Sequence, residues 1–167
     1  EHEGISRFVK FRYWHENFLG KPYTKEIGER LSLNYTQLVF DRVVQAPYVE
    51  GALEFLKKHS QHIPLFVASG TPEMELREII KHRSIERFFK GVYGTPSTKN
   101  EILQRILAKH KFYPKQMLMV GDSLTDWVGA QGVKADFIGI KSRKNSNIFP
   151  SPKILLKNLA ELDKCIY

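Results

Sequence analysis

The stretch MLMVGDSLTDWVGA, residues 117–130, joins a short apolar run to two carboxylates four positions apart. The apolar run predicts a buried strand, and the glycine that follows it predicts a sharp exit into a helix. Asp122 then lies at the carboxyl end of the strand and Asp126 in the first helical turn, so both side chains can face one point. Because Mg²⁺ binds carboxylate oxygens together with water and substrate phosphate, the pair predicts a magnesium and phosphate site. The alternative is that both acids only stabilise the start of the helix.

A second apolar run, residues 63–68, leads into Ser69, Gly70 and Thr71 and then Pro72. Proline suits the first position of a helix, so this segment also predicts a strand that turns into a helix. A hydroxyl beside free backbone amides at a helix start can hold an anion. The alternative is that Ser69 or Thr71 is an ordinary helix N-cap.

A third strand and helix are predicted around residues 91–101. Thr98 and Glu101 have the spacing of a capping box, which places Lys99 in the first helical turn. A cation there opposes the helix dipole at a cost of about 0.5 kcal/mol, which a bound phosphate or a carboxylate would offset. We therefore predict that Lys99 faces an anion.

These three segments resemble, in the same order, the second, third and fourth motifs of the haloacid dehalogenase superfamily of magnesium-dependent phosphatases. The resemblance implies that the Ser69 hydroxyl and the amides after it bind phosphoryl oxygens, and that Lys99 neutralises the nucleophile and the phosphate. It further implies that Asp122 and Asp126 hold Mg²⁺, the second directly or through water. The similarity is closest to the phosphoglycolate-phosphatase-like group, and it implies an α/β fold: a three-layer, Rossmann-like parallel sheet core with a small helical cap.

The first motif of that family, a strand ending in Asp-x-Asp, is absent from this sequence. The nearest string is residues 38–43, where Asp41 is followed by Val43 in place of a second acid, and we interpret Asp41 as part of a helix. The missing strand belongs at the centre of the sheet, between the strands of Ser69 and Asp122. We therefore expect the chain to be part of a longer protein and to be inactive alone. The alternative is a natural chain that lost catalysis and borrows a strand from another molecule.

The amino-terminal part predicts two helices, over residues 6–19 and 24–44, joined by a turn at 20–23. They resemble the small cap that closes over the site and selects the substrate in many family members. Helical spacing predicts a buried face on the first helix, formed by Phe8, Phe11, Trp14 or His15, and Phe18.

Basic side chains on the same helix are candidates to touch the non-phosphate part of a substrate. Arg7 is the first of them, and Lys10, Arg12 and His15 are the others. The alternative is a basic face that only contacts water.

A regular alternation of strands and helices follows the cap. Helices are predicted at 49–59, 72–82, 98–111 and 123–131, strands at 63–69, 91–94, 117–121 and 137–140, a short last element at 154–156, and a solvated loop at 142–147. Such alternation predicts a parallel sheet covered on both faces. We divide the chain into a cap domain, residues 1–46, and an α/β hydrolase core, residues 47–167.

Composition limits the possible functions. Of the 167 residues, 42% are hydrophobic, enough for a real core, and no run approaches the roughly 18 apolar residues of a membrane span. The net charge is +8, but Lys and Arg are scattered and carry no nucleic-acid motif, so we expect an anionic substrate and no nucleic acid. The single cysteine, Cys165, cannot form an internal disulfide and favours a reducing cytoplasm.

The predicted function is magnesium-dependent hydrolysis of a small phosphomonoester by the complete protein. The resemblance also implies phosphomutation and phosphonate cleavage as related chemistries, whereas dehalogenation is the least expected because it does not need the magnesium pair. A hypothesis of another class is a non-catalytic phosphate-binding or scaffolding module.

Overall fold

The computed structural model describes residues 4–141, 148–150 and 154–166. Two helices come first, α1 (Arg7–Asn17) and α2 (Lys25–Gln45). The remaining elements are α3 (Ala52–His59), β1 (Phe66–Pro72), α4 (Glu73–His82), β2 (Gly91–Thr95), α5 (Lys99–His110), β3 (Leu118–Gly121), α6 (Leu124–Gly132), β4 (Asp136–Ile140) and β5 (Ile154–Leu156). These bounds confirm every predicted helix and strand to within a few residues, and the predicted loop at 142–147 lies outside the described residues.

Three short 3₁₀ segments were not predicted. They are Glu86–Phe88, Pro114–Gln116 and Leu159–Cys165. Segments of three to seven residues hold too little hydrophobic periodicity to be separated from turns by sequence pattern.

All the described strand pairs are parallel, as predicted, but they form two sheets. β1 pairs with β2, and β3, β4 and β5 form a second sheet in that order. No described strand pairs with both β1 and β3, so the single sheet expected from the alternation is present as two parallel parts.

Helices cover both faces of the first sheet. Val92 of β2 packs against Leu76 and Ile80 of α4. The next residue, Tyr93, points to the other face and packs against Ile102 and Ile106 of α5. Consecutive residues of β2 are therefore buried under different helices. This alternation is expected for a strand that is covered on both faces.

The second sheet repeats this arrangement. Phe137 of β4 belongs to a cluster with Leu103 of α5 and Ala130 of α6, whereas the neighbouring Ile138 packs with Leu156 and Leu162. Helix α5 thus contributes side chains to the cores of both sheets. The result is a three-layer α/β architecture, as the sequence predicted.

The predicted buried face of α1 is correct only in its first half. Phe11 is 8% exposed and its ring lies 6.0 Å from that of Tyr35 on α2, but Trp14 and Phe18 are 46% and 73% exposed. His15, the predicted alternative to Trp14, is half-buried. Helical periodicity assumes a partner along the whole helix, and the described residues cover only the amino-terminal part of this one.

A buried ion pair fastens the two amino-terminal helices to the core. Arg7 of α1 donates to Glu75 of α4 at 2.7 Å through each of two guanidinium nitrogens, and the two side chains are 10% and 8% exposed. Thr36 of α2 donates to the same carboxylate at 2.6 Å and accepts from Arg7 at 2.8 Å. We call this group the cap–core ion pair.

The other end of α4 also holds α2. One guanidinium nitrogen of Arg83, the residue that follows α4, donates to the carbonyl oxygens of Val43, Val44 and Ala46 at 2.8 Å each. These carbonyls lie at the carboxyl end of α2, where, within the described part of the chain, only that of Val43 also accepts from a backbone amide, that of Ala46, at 3.3 Å. Arg83 therefore satisfies acceptors and complements the helix dipole. Both ends of α4 therefore hold α2, one at the middle of α2 through Thr36 and the other at its carboxyl end.

The carboxyl-terminal 3₁₀ segment is attached through Asp163. One of its carboxylate oxygens lies 2.6 Å from Nε2 of His59, and the other accepts from Lys58, both residues being in the last turn of α3. Hydrogen bonds from Lys58 and then His59 hold the pKa of Asp163 below its ordinary value of 3.8.

None of the helices in the described part of the chain combines the length and apolar character needed to cross a bilayer.

The cap–core ion pair predicts a large asymmetry between single and double substitutions. Glu75→Leu leaves the Arg7 charge buried without a partner, so we expect a loss of about 3 to 5 kcal/mol in the free energy of unfolding, most of which Arg7→Met in the same chain restores. Urea unfolding of both single variants and the double variant measures this coupling. The control is Glu29→Gln, which breaks an exposed pair with Lys25 at 3.8 Å and is expected to cost at most about 1 kcal/mol. A Glu75→Leu loss as small as the control's would contradict the prediction.

The lowered pKa of Asp163 predicts pH-dependent stability. A carboxyl group whose pKa is depressed by folding stabilises the protein above its ordinary pKa, and this stabilisation is lost as the pH falls through the lowered value. We expect wild type to melt at a higher temperature than Asp163→Asn at pH 6 and the difference to shrink as the pH falls below 3.8. Thermal unfolding at a series of pH values tests this, and a difference independent of pH would refute it.

Candidate active site

Residues of the three segments singled out in the sequence meet at the carboxyl ends of β1 and β3. The ammonium group of Lys99 donates to the backbone carbonyl of Ala68 in β1 and to Oδ1 of Asp126 in α6, the latter at 2.6 Å. The side chains of Lys99 and Asp126 are 13% and 6% exposed. Lys99 does face an anion, as predicted, and in this structure the anion is the carboxylate of Asp126.

The start of α5 explains why a lysine can occupy its first turn. Thr98 and Glu101 form the predicted capping box, and backbone and side-chain hydrogen bonds from Thr98 lower the pKa of Glu101. A carboxylate in the first turn favours the positive end of the helix dipole. The Lys99 ammonium meanwhile leaves the helix end and reaches Asp126.

The second oxygen of Asp126 is also occupied. It accepts from the Ser123 amide at 3.2 Å and from the Ser123 hydroxyl at 2.7 Å, which forms a capping box at the start of α6. The backbone of Gly121 lies so near that a Cβ atom there would be 2.4 Å from the Cβ of Asp126. A glycine is therefore required, and the Asp126 carboxylate is held in one place by Lys99 and Ser123.

Asp122 differs from Asp126 in its surroundings. It is exposed at the end of β3, and its carboxylate forms no hydrogen bond or ion pair with any residue that the structure describes. Of the two acids, only Asp122 thus presents an open carboxylate. Direct metal ligation by Asp126 would require it to exchange a bond to Lys99 or Ser123.

The end of β1 forms a small hydroxyl-lined turn. The Thr71 amide donates to Oγ of Ser69 at 3.2 Å, and the Ser69 hydroxyl donates to Oγ1 of Thr71 at 3.1 Å. Ser69, Gly70 and Thr71 are all half-buried. In this arrangement the Thr71 amide donates to Ser69 and is not available to donate to a bound anion.

The chain segment before α1 passes beside this turn. A Cβ on Gly70 would lie 3.1 Å from the Gly4 carbonyl oxygen and 3.2 Å from that of Ile5. The same Gly4 carbonyl accepts from the hydroxyl of Thr125 at 3.1 Å. The segment that leads into α1 therefore lies between the end of β1 and the start of α6.

Glu73, in the first turn of α4, links this turn to β2. Its carboxylate accepts from Arg77 at 2.9 Å and from the Gly94 amide at 3.2 Å. Burial opposes ionisation of Glu73, but these hydrogen bonds outweigh it and lower the pKa of the carboxyl group. The ionised carboxylate fixes α4 directly after Thr71 and Pro72.

Arg7 does not lie open for a substrate as its sequence position suggested. Its guanidinium is buried and donates hydrogen bonds to Glu75 and Thr36, so these donors are not available to a ligand. The other basic candidates are not so enclosed: Arg12 lies over the ring of Tyr23 at 5.3 Å, and His15 is within 3.3 Å of the Lys21 carbonyl oxygen.

Two site features were missed by sequence reasoning. The Ala68 carbonyl carries no sequence signal, because any residue supplies a backbone oxygen. Ser123 did carry one: it stands three residues before Asp126, the same spacing that identified the capping box at Thr98. Read in that way, the spacing would have predicted that Asp126 bonds the start of its own helix.

A metal site built from this chain alone is sparse. The described residues contain no group of three or more His, Cys, Asp or Glu side chains arranged to hold a metal ion. The chemistry of the donors still suits Mg²⁺, which commonly uses one or two protein carboxylates and completes its shell with water and phosphate.

Two curated proteins are similar to this chain in sequence. A 5'-nucleotidase from Pseudomonas aeruginosa is 32% identical over 81 residues, which is 46% of this chain and 37% of that protein. A phosphoglycolate phosphatase from Mannheimia succiniciproducens is 27% identical over 165 residues, 92% of this chain and 73% of that protein. This chain thus spans 37% and 73% of the lengths of these two relatives.

The fold is shared with solved structures. A protein from Haemophilus somnus described as a predicted phosphoglycolate phosphatase superposes with a TM-score of 0.81 at 19% identity, covering 99% of this chain and 79% of that one. A family profile described as haloacid dehalogenase-like hydrolase matches residues 12–140. The chain therefore belongs to the haloacid dehalogenase-like hydrolase family.

Proposed function

We propose that this chain forms the cap, residues 1–46, and most of the core, residues 47–167, of a magnesium-dependent phosphatase acting on small phosphomonoesters. The observation that carries the proposal is the contact of Lys99 with both the Ala68 carbonyl and Asp126, because it brings together three segments whose residue types suit phosphoryl transfer. The names of the relatives, a 5'-nucleotidase and a phosphoglycolate phosphatase, support the same substrate class.

The proposed reaction needs an aspartate that this chain does not contain. A carboxylate oxygen of that residue attacks phosphorus, a new O–P bond forms, and the bond from phosphorus to the substrate oxygen breaks. A second acid protonates the departing oxygen, and water then hydrolyses the aspartyl-phosphate to release phosphate. The strand that carries both acids would lie between β1 and β3, which no described strand joins.

This chain's own residues would bind and orient the phosphoryl group. The hydroxyls of Ser69 and Thr71 and the Gly70 amide are donors for its outer oxygens, and the Lys99 ammonium balances its negative charge. Asp126 keeps that ammonium aimed at the end of β1, so we assign it an orienting role in addition to its predicted place in the metal site. Asp122 would hold Mg²⁺, which when bound supplies further positive charge beside the phosphate.

A second candidate function is a non-catalytic phosphate-binding or scaffolding module. It is favoured by the engagement of both Asp126 oxygens by Lys99 and Ser123, which leaves Asp122 as the one open carboxylate of the pair. The same hydroxyls and ammonium would then bind an anion without transferring it.

We further propose a cytoplasmic location, since the lone Cys165 suits a reducing compartment. The substrate would be a small phosphorylated metabolite rather than a nucleic acid or a membrane component, and the missing strand would come from the same protein or from another chain.

The decisive test uses the protein together with whatever sequence its gene encodes before Glu1. We expect Asp122→Asn to lower Mg²⁺-dependent release of phosphate from p-nitrophenyl phosphate by about a hundredfold or more, because the open carboxylate that would hold the metal is lost. Asp41→Asn is the matched control, since Asp41 is exposed on α2 and should leave turnover unchanged. Activity that survives Asp122→Asn removes Asp122 from the mechanism, and a natural protein without activity on any phosphomonoester favours the binding module.

The buried Lys99–Asp126 pair allows the structural and the catalytic roles of Lys99 to be separated. Lys99→Met alone leaves the Asp126 charge without its cation and should cost about 3 to 5 kcal/mol of stability. Adding Asp126→Asn removes that charge while keeping an oxygen for Ser123, so we expect most of the stability to return.

Urea unfolding and phosphatase assays on the same preparations give both readouts. Turnover should stay low in the double variant, because the ammonium that would balance the phosphate is still absent. Recovery of activity together with stability would mean that Lys99 serves only the fold.

A further inference from the structure

A second cationic region lies at the opposite ends of the strands from the candidate active site. The carboxyl end of α3, the segment before β1 and the 3₁₀ segment before β2 border a cavity of about 830 Å³. Its polar lining consists of Lys57, Ser60, Gln61, His62, Arg87 and Lys90, and we call it the basic groove. Since Lys57 and Lys90 precede β1 and β2, the groove is at the amino ends of those strands, whereas Ser69 and Lys99 mark the carboxyl ends.

The charge of the basic groove is not neutralised by the protein. Three of its residues, Lys57, Arg87 and Lys90, are cations and none is acidic, and within the described part of the chain none of the three forms an ion pair with a carboxylate. Asp163, the acid that reaches the last turn of α3, is already engaged by Lys58 and His59. The dipole of α3 accounts for a cation at position 57 but not for Arg87 and Lys90, which come from other segments.

The backbone beneath the groove is fixed by hydrogen bonds. The amides of His62 and Ile63 both donate to the His59 carbonyl at 2.9 Å, and the Lys90 amide donates to the Leu65 carbonyl at 2.8 Å. The cations therefore project from three segments whose backbones are held at their junctions with the fold. Holding like charges together in this way is unfavourable unless a counter-charge is present.

We propose that the basic groove binds the phosphate chain of a small polyanion carrying at least three negative charges. A multiply charged ligand is needed to engage cations from three segments at once, and Ser60 and Gln61 add neutral hydrogen-bond donors. Phe88 is buried, and its ring offers the groove no open face for a nucleobase. The recognised chemistry is the phosphate chain itself, whether it belongs to an inorganic polyphosphate or to a nucleoside triphosphate.

This site goes beyond the proposed function, because binding there needs neither a nucleophile nor Mg²⁺. The test is therefore a binding measurement on the same protein that the activity assay uses, with whatever sequence its gene encodes before Glu1. We titrate ¹⁵N-labelled protein with tripolyphosphate, without divalent cations, and follow backbone amide shifts. The expected result is a set of saturable shifts in residues 57–64 and 86–91, whereas shifts confined to residues 69–71 and 99 would place the ligand at the candidate active site and overturn the proposal.

Charge-matched variants separate a built site from general attraction to a basic protein. Lys57→Gln, Arg87→Gln and Lys90→Gln together should weaken tripolyphosphate binding by about tenfold or more, because three exposed ion pairs are lost. The control, Arg30→Gln with Lys81→Gln and Lys109→Gln, removes the same net charge from exposed positions outside the groove and should change affinity less than about twofold. Equal losses in both triple variants would show that only the net charge matters and would refute the site.

Titrations with adenosine triphosphate and with orthophosphate identify the part of the ligand that the basic groove recognises. Adenosine triphosphate that matches tripolyphosphate in affinity and shift pattern supports recognition of the phosphate chain alone, and tighter binding with new shifts supports a nucleoside triphosphate. Orthophosphate at equal ionic strength should bind at least about tenfold more weakly than tripolyphosphate, since it cannot span three segments. Equal affinity for orthophosphate would contradict the proposal.

Discussion

A nearly buried ammonium group joins the two sheets of this structure at the ends where their strands stop. Lys99 reaches the Ala68 carbonyl in the first sheet and Asp126 in the helix that follows β3 of the second. Burying an ion costs desolvation free energy unless an opposite charge and hydrogen bonds compensate it. Removing either Lys99 or Asp126 is therefore expected to lower the stability of the fold. Lys99 lies at the start of α5, and its ammonium group bonds to β1 and to the start of α6. This single cation therefore helps to hold the three elements in their relative positions.

Most of the fold could be predicted because its signals are local. An apolar run, a glycine or proline and a capping residue lie within a few positions of each other at each strand-to-helix junction, and that was enough to find the turn at Ser69, the capping box before Lys99 and the acids at Asp122 and Asp126. Their convergence also followed, because the carboxyl ends of parallel strands lie together. The parallel α/β architecture and family membership are confirmed, whereas the roles of the individual site residues stay predictions.

The features that could not be predicted depend on distant parts of the chain. The sequence suggested that Arg7 is a basic residue on an open helix face. Only the tertiary structure shows that it forms a buried ion pair with Glu75. The exposure of Phe18 likewise could not be predicted, because hydrophobic periodicity does not show how much of a helix is covered by neighbouring elements. The separation into two sheets, in contrast, falls between β1 and β3, where the sequence analysis placed the absent first-motif strand.

The placement of α5 has a consequence for how the site can be lost. Each sheet is made from its own contiguous part of the chain, so the strands within a sheet are joined by short connections. Helix α5 is the element that packs side chains into both cores and also carries Lys99. A local opening of α5 would therefore remove Lys99 from the site and uncover both cores in the same event, so the persistence of the site depends on the packing of a single helix.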